Sequence, residues 1–439
     1  MAKTFREWDI EQVMMFPPSV QDFVPEGHLA HFVRNTVVEA LDLSAIMDCY
    51  SEERGYPPYD PVMMTALLLY AYSQHIYPSR RIAKACRERV DFMAITAMQT
   101  PDFRTINDFH SRHSGALQGL FVQVLRLCQE AGLVKLGHVA LDGSKIKANA
   151  SKHKAMSYGR MKKSEPELEA IVSSWFKQAE ASDLRDDQEH GVENSGEELP
   201  KWVRNKQQRL EKIRQARARL EAEAKAQAAE KAAGKKSGGP GRPSKNEPGT
   251  PKDEAQTKFT DPESRIMKSH DGFIQAYNVQ AAVDADSQVI VAQGVTNNAS
   301  DSHQLAPMVA QIKQNTGRQA QELSADAGYC SEDNLKELRR RHINGYIATG
   351  RQKHGEATAV GERKVKLGTY AYAMWQKLRR GGHRSRYRLR KQTVEPVFGQ
   401  IKQARGFRQF LLRGIHKVSC EWSLICTVHN LLKLAAARS

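Results

Sequence analysis

Long apolar runs, paired cysteines and an acidic excess are all missing from this chain, and each absence removes a class of function. The richest apolar stretch, 61–72, runs straight into Ser73-Gln74-His75 and is too short to span a bilayer. The first ten residues are polar and charged, unlike a secretory signal. Neither end carries a basic amphipathic anchor or a lipidation motif. The cysteines Cys49, Cys86, Cys128, Cys330, Cys420 and Cys426 lie scattered, with no Cys-x-x-Cys pair. That spacing excludes a disulfide scaffold and a zinc module and suits a reducing cytoplasm. His110-x-x-His113 reads as two histidines of a polar helix, since no cysteine pair lies nearby.

What is present is positive charge. Lys and Arg number 66 against 50 Asp and Glu, a formal net charge of +16. Such a surplus points to a polyanionic partner, because each Lys or Arg set against a phosphate releases condensed counterions. A solvated basic surface is the bland alternative. At 439 residues and 40% apolar, the chain is long enough for two or three domains with buried cores.

The stretch 26–132 reads as helical throughout. Leu29, Phe32, Val37, Val38 and Leu41 recur near a 3.6-residue period. Pro61 suits the first turn of a helix over 62–72. A short basic helix covers 82–86, and Thr105 with Asp108 predicts a helix start that runs on to Gly132. Short helices, tight turns and interspersed basic residues are compatible with a helix-turn-helix, and equally with a bundle that merely packs. The character changes at Val134. The run 137–143 is apolar and closes on Asp142-Gly143, a strand and its turn.

A polar insertion, 151–263, follows. Over 204–233 it holds one exposed helix or short coiled coil, with Val203, Leu210, Ile213 and Leu220 at heptad-like spacing. The Gly/Pro/Ser/Lys-rich stretch 234–251 is expected to be disordered. Its Pro240-Gly-Arg-Pro243 resembles the core of an AT-hook, but a proline replaces the usual first arginine, so it reads as linker. Strands over 276–283 and 288–295 flank the turn Asp284-Ala-Asp-Ser287. A helix over 304–314, an apolar run ending at Asp326, a strand over 345–349 and helices over 393–404 and 416–435 complete the chain. With the insertion removed, this is an α/β order of ribonuclease H type, a mixed sheet with flanking helices. The expected division is a helical N-terminal domain, 1–132, and an α/β domain, 133–439, interrupted by 151–263.

Three acids stand where chemistry gathers in such sheets, outside strand ends. Asp142 and Asp326 each end a predicted strand and precede small residues. Glu395 is placed in the first turn of a helix capped by Thr393, where Pro396 is tolerated. Three such carboxylates can surround a pair of Mg²⁺ ions about 3.5–4 Å apart, which activate the attacking oxygen and stabilise the leaving one. Taken singly, Asp142 would serve as a turn residue and Glu395 as an ordinary first-turn acid. Asp284 and Asp286 read as structural turn residues, and Asp301 as a cap of the helix near His303, with a weaker supporting role in the site.

Ordered motifs then carry a resemblance. They are Ala140-Leu-Asp142-Gly-Ser144, Tyr277-Asn-Val-Gln-Ala-Ala-Val-Asp284, Ser324-Ala-Asp326-Ala-Gly-Tyr329 and Val394-Glu395-Pro-Val-Phe398-Gly-Gln-Ile-Lys402. Arg413-Gly414, Asn430-Leu-Leu-Lys433 and, in the N-terminal part, Tyr59-Asp-Pro61 and Pro101-Asp-Phe-Arg-Thr-Ile-Asn-Asp-Phe109 complete the set. Through them the chain resembles the DDE insertion-sequence transposases of bacteria over nearly its whole length.

The resemblance implies a ribonuclease H-like catalytic domain with Asp142, Asp326 and Glu395 as the catalytic and metal-binding triad. It further implies two Mg²⁺ ions with Mn²⁺ as a substitute. The expected partners are the terminal inverted repeats, target DNA and a homo-oligomeric synaptic complex at the bacterial nucleoid. Related transposases carry Tyr and Arg before the glutamate and Lys seven positions after it. Lys402 fits. Tyr387 and Arg390 are present, but four residues separate Arg390 from Glu395 where the signature has three. Together with Arg405 these are the DNA-binding candidates, within a basic crowd spanning 379–413. Phe407, Phe410 and Trp422 read as core. The rival readings are a nuclease that cuts without strand transfer and a catalytically idle, domesticated DNA-binding regulator.

Overall fold

A computed structural model describes residues 19–50, 58–150, 155–190, 201–233, 247, 249–269, 272–350 and 365–438. The segment 234–251, expected to be disordered, lies largely outside the described residues, as does the whole of Pro240-Gly-Arg-Pro243.

Seven helices come first: α1 (Leu29–Ala40), α2 (Ser44–Met47), α3 (Pro61–Ser73), α4 (Ser79–Glu88), α5 (Val90–Thr96), α6 (Phe103–Arg112) and α7 (Ser114–Glu130). Asp60 caps α3 through the N–H groups of Val62 and Met63, with Pro61 in the first turn as expected. The run that looked too short for a membrane is a core helix, buried almost all round. No helix among the described residues is long and apolar enough to cross a membrane. Asp102, not Thr105, caps α6: its carboxylate accepts from the N–H groups of Arg104 and Thr105. The single helix expected up to Gly132 is broken at His113 into α6 and α7.

Next come β1 (His138–Lys147), β2 (Ala155–Ser157), α8 (Tyr158–His190), α9 (Lys201–Ala233), β3 (Gln256–Lys258), β4 (Arg265–Ser269), β5 (Gly272–Asp284) and β6 (Ile290–Thr296). The insertion holds two helices, α8 and α9, packed on each other, where one exposed helix or a short coiled coil was expected. Ile213, Ala216 and Leu220 of α9 bury against Met156 of β2 and Tyr158 and Met161 of α8, so the heptad seam is spent inside the chain. Arg214 and Arg217 both pair with Glu165 across the two helices.

The remainder is α10 (Leu305–Thr316), β7 (Glu322–Ala325), α11 (Glu332–Arg340), β8 (Asn344–Ile347), α12 (Tyr370–Gly381), α13 (Leu389–Gly399), a π-helical turn (Gln400–Ala404) and α14 (Ile415–Arg438). The main sheet runs β4-β5-β1-β7-β8, with β6 pairing β5 beyond β4. Strands β4, β5 and β6 are antiparallel to their neighbours, whereas β1, β7 and β8 are mutually parallel. This mixed order with flanking helices is the ribonuclease H-like fold. Helices α3 and α7 pack against α14, so the N-terminal helices and the sheet share one apolar core.

Asp284 ends β5 and is structural, as expected. Its carboxylate accepts the N–H groups of Lys135, Leu136 and Asp286 and ties the entry of β1 to the β5–β6 turn.

Candidate active site

Strand β1 is longer than its apolar run suggested, because it continues along β5 to Lys147. Asp142 therefore sits in mid-strand and does not end it. What stops there is the parallel pairing: the last partners of β1 and β7 are Leu141 and Ala325. Asp142 and Asp326 are the next residue on each strand. The register sets the two acids side by side where the ladder opens, a pleated edge from which side chains diverge.

Glu395 arrives from α13, and its setting also corrects the expectation. The helix starts at Leu389, so Glu395 and Pro396 lie inside it and Thr393 is a buried helical residue with no capping role. Proline in a helix interior frees the carbonyl four residues back. Here that carbonyl, Gln392 O, accepts from Gln288 Nε2 at 3.1 Å. The π-helical turn follows at once, as such turns do where a helix is locally disturbed.

Arg390 joins the acids. One guanidinium nitrogen donates to Asp142 Oδ2 at 2.9 Å and another to Glu395 Oε1 at 3.0 Å. The pair with Asp142 is largely buried, whereas Glu395 is 46% exposed at the rim. Burial pushes the Asp142 carboxyl up to about 6, with Arg390 pulling it back and Asp326 adding to the rise. Asp326 is raised as well, first by burial, against the pull of Arg390. Tyr387 is raised by its own burial, with Arg390, Asp326 and Asp142 as its charged neighbours, which places it at the same cluster.

Lys402 reaches the site too. Its Nζ donates to Ser144 Oγ at 3.0 Å, and Ser144 shares a strand face with Asp142. Arg405 does not. It is 9% exposed, turned inward beside His429, and its backbone oxygen accepts from the Tyr77 hydroxyl. Burial lowers its affinity for the proton. The expectation that Arg405 contacts DNA is corrected: the chain reverses after the π-helical turn and carries this side chain into the core. Arg379, Arg380, Arg384, Arg386, Arg388, Lys391, Arg408 and Arg413 are exposed and form the basic track instead. Phe407, Phe410 and Trp422 are buried, as expected.

Glu421 of α14, unnoticed in the sequence, holds the part of this track that follows the core turn. Fully buried, it accepts the N–H groups of Leu411 and Leu412. Burial raises its carboxyl to about 7, the two N–H bonds opposing the rise. A folded value above the unfolded one means that stability complete below about pH 4.5 is lost as pH climbs through about 7. The loss expected from this group is about 3 kcal/mol. Melting followed from pH 5 to pH 8 should show it, and Glu421→Gln should flatten the decline. An unchanged slope in the variant would assign the decline elsewhere.

Asp301 is a further residue that the sequence misplaced. Helix α10 begins at Leu305, and the Asp301 carboxylate caps nothing. It lies against Asn278, Gln280 and Lys145 instead. The signal that could have found it is the pair of amides two apart, Asn278 and Gln280, within the apolar run 276–283, and the structure buries both wholly.

Two family models match the chain. The "Transposase DDE domain" covers residues 247–431 and the "Transposase domain (DUF772)" covers residues 18–112. Asp326 and Glu395 fall within the first match, while Asp142 precedes it. Comparison with curated proteins and with solved structures yields no match. Two transposase models in order along one chain, over a ribonuclease H-like sheet, make this protein a member of the DDE insertion-sequence transposase family.

Proposed function

We propose that the chain cuts DNA at the terminal inverted repeats of an insertion sequence and joins the freed 3′ ends to target DNA, with Asp142, Asp326 and Glu395 as its catalytic acids. The observation that carries this reading is the register that sets Asp142 beside Asp326, with Arg390 linking Asp142 to Glu395.

DDE transposase domains use a divalent metal. The donors here suit a hard cation, being carboxylate oxygens in negative excess. Among the described residues no three of these side chains are gathered tightly enough to hold an ion. The Arg390 guanidinium, lying between Asp142 and Glu395, stands in for positive charge there. Bound metal, Mg²⁺ with Mn²⁺ as substitute, would activate the attacking oxygen and stabilise the leaving one. Phosphoryl transfer otherwise asks the protein for positioning and charge. Lys402 and the exposed arginines supply that charge along the strand. Arg390 Nε is buried with no acceptor among the described residues, an orphan donor that a phosphate oxygen would satisfy.

The helical region 1–132 would recognise the ends through α4, whose Arg80, Arg81, Lys84 and Arg87 are exposed on one side while Ile82, Ala83 and Cys86 are buried. The region 133–439 would carry the chemistry, and a homo-oligomer would bring two ends together.

A labelled duplex carrying the flanking inverted repeats, incubated with the chain and Mg²⁺, tests the reading. Nicks at the repeat ends followed by joined products support it. Nicks without joining would leave a nuclease, and binding without nicks an idle regulator. A further outcome concerns Gly143. A Cβ there would lie 2.6 Å from Gln280 Nε2 and 2.7 Å from Asp301 Oδ1, atoms already bonded to each other. Gly143→Ala should therefore displace the strand beside Asp142 and slow cleavage about 10²-fold with DNA binding retained. Wild-type cleavage in this variant would show that the spacing is not critical.

A further inference from the structure

Strand β5 carries two wholly buried amides, Asn278 and Gln280, paired across the sheet with Lys145 and Gly143 of β1. Buried amides need partners, and theirs is Asp301. Its Oδ1 accepts from Asn278 Nδ2 at 2.7 Å and from Gln280 Nε2 at 2.8 Å. Gln280 Oε1 in turn accepts from the buried Tyr329 hydroxyl. One oxygen of Asp301 is thus committed and the plane of its carboxylate is held.

The other oxygen lies towards Lys145 and Gly328. Lys145 Nζ lies 3.5 Å from Asp301 Oδ2. A Cβ added to Gly328 would lie 3.4 Å from Asp301 Oδ2 and 3.1 Å from Asp326 Oδ1. The glycine keeps open a methyl-sized space onto which both carboxylates look. Gly143, the neighbour of Asp142, bounds Asp301 on the other side. Asp326 consequently has Arg390 on one hand and Asp301 with Lys145 on the other as its charged neighbours. Two carboxylates facing one small space in a half-buried setting repel unless a cation is shared. Lys145 supplies part of that charge.

We propose that Asp301 is a fourth carboxylate of the active site and shares with Asp326 the cation that the site takes. The assignment rests on the triad reading above. A purely capping Asp301 would aim its carboxylate at the first N–H groups of α10. Here only its backbone oxygen serves that helix, accepting from Gln304 N.

Mn²⁺ titrated into the full chain bound to an inverted-repeat duplex, with unbound Mn²⁺ read by electron paramagnetic resonance, tests this for wild type, Asp301→Asn and Asp142→Asn. Asparagine keeps an oxygen for Asn278 and Gln280 and removes the charge that faces Asp326 and pairs with Lys145. Asp301→Asn should therefore melt with the wild type and bind Mn²⁺ at least about tenfold more weakly. Wild-type Mn²⁺ affinity in Asp301→Asn, or melting well below wild type, overturns the assignment. In that event loss of Mn²⁺ by Asp142→Asn still upholds the triad. A wild-type chain that takes up no Mn²⁺ brings down both.

Discussion

Asp142→Ala is expected to slow cleavage at the inverted repeats by about 10³-fold or more, a loss of about 4 kcal/mol of transition-state stabilisation. Binding of the same duplex should stay within about twofold of wild type, because the basic side chains proposed to meet the phosphates are all retained in this variant. The size follows from position. Asp142 is the most enclosed of the three acids and the one that both Arg390 and the Asp326 charge act upon. Alanine removes the charge and leaves Arg390 paired with Glu395 alone. Asp326→Ala and Glu395→Ala should lose cleavage similarly, since acids that act as one unit do not contribute additively. Single-turnover cleavage beside a binding titration on one labelled duplex measures both quantities. Cleavage by Asp142→Ala at the wild-type rate would remove this acid from the chemistry and the register argument with it.

Trp422→Ala should cost about 3–5 kcal/mol of stability, as large-to-small changes of buried aromatics do. Trp422 is wholly buried and is the largest such side chain in the core. Its indole N–H donates to Gln280 O at 3.2 Å, and its ring stacks on Phe398 with centroids 6.2 Å apart. It is therefore the wedge between β5, which carries the Asp301 anchors, and α13, which carries Glu395. A cavity there loosens both. The variant should melt several degrees lower and lose cleavage beyond what its unfolded fraction explains, whereas Trp422→Phe should recover most of the melting temperature. Calorimetry paired with cleavage assayed well below the melting point separates the two effects. Full specific activity in folded Trp422→Ala would mean that the wedge supports the fold only.

Much of this was legible beforehand for local reasons. The acid at 326, the turn at 284–287 and the proline in the first turn of α3 each depend on a few consecutive residues, and the structure places them after a strand end, in a turn and at a helix start. The misplacements share the opposite cause. Strand β1 outran its apolar run because β5 went on pairing with it. Glu395 moved from the first turn to mid-helix because Gln288, distant in sequence, takes up the carbonyl that Pro396 frees. Arg405 resembled its basic neighbours in sequence and differs only in which way the chain faces when it reaches it.

The sequence by itself determined the class of this protein: its charge, the order of strands and helices, the transposase motifs and the acids Asp142, Asp326 and Glu395. These are properties of composition and short spacing, which survive without a partner. Only the tertiary structure decided that Arg390 bridges two of those acids, that Arg405 is core, that Glu421 holds the arginine loop and that Asp301 faces Asp326. Each of those depends on a contact between residues far apart in the chain, and a side chain's electrostatic role is set by what burial and neighbours do to its charge.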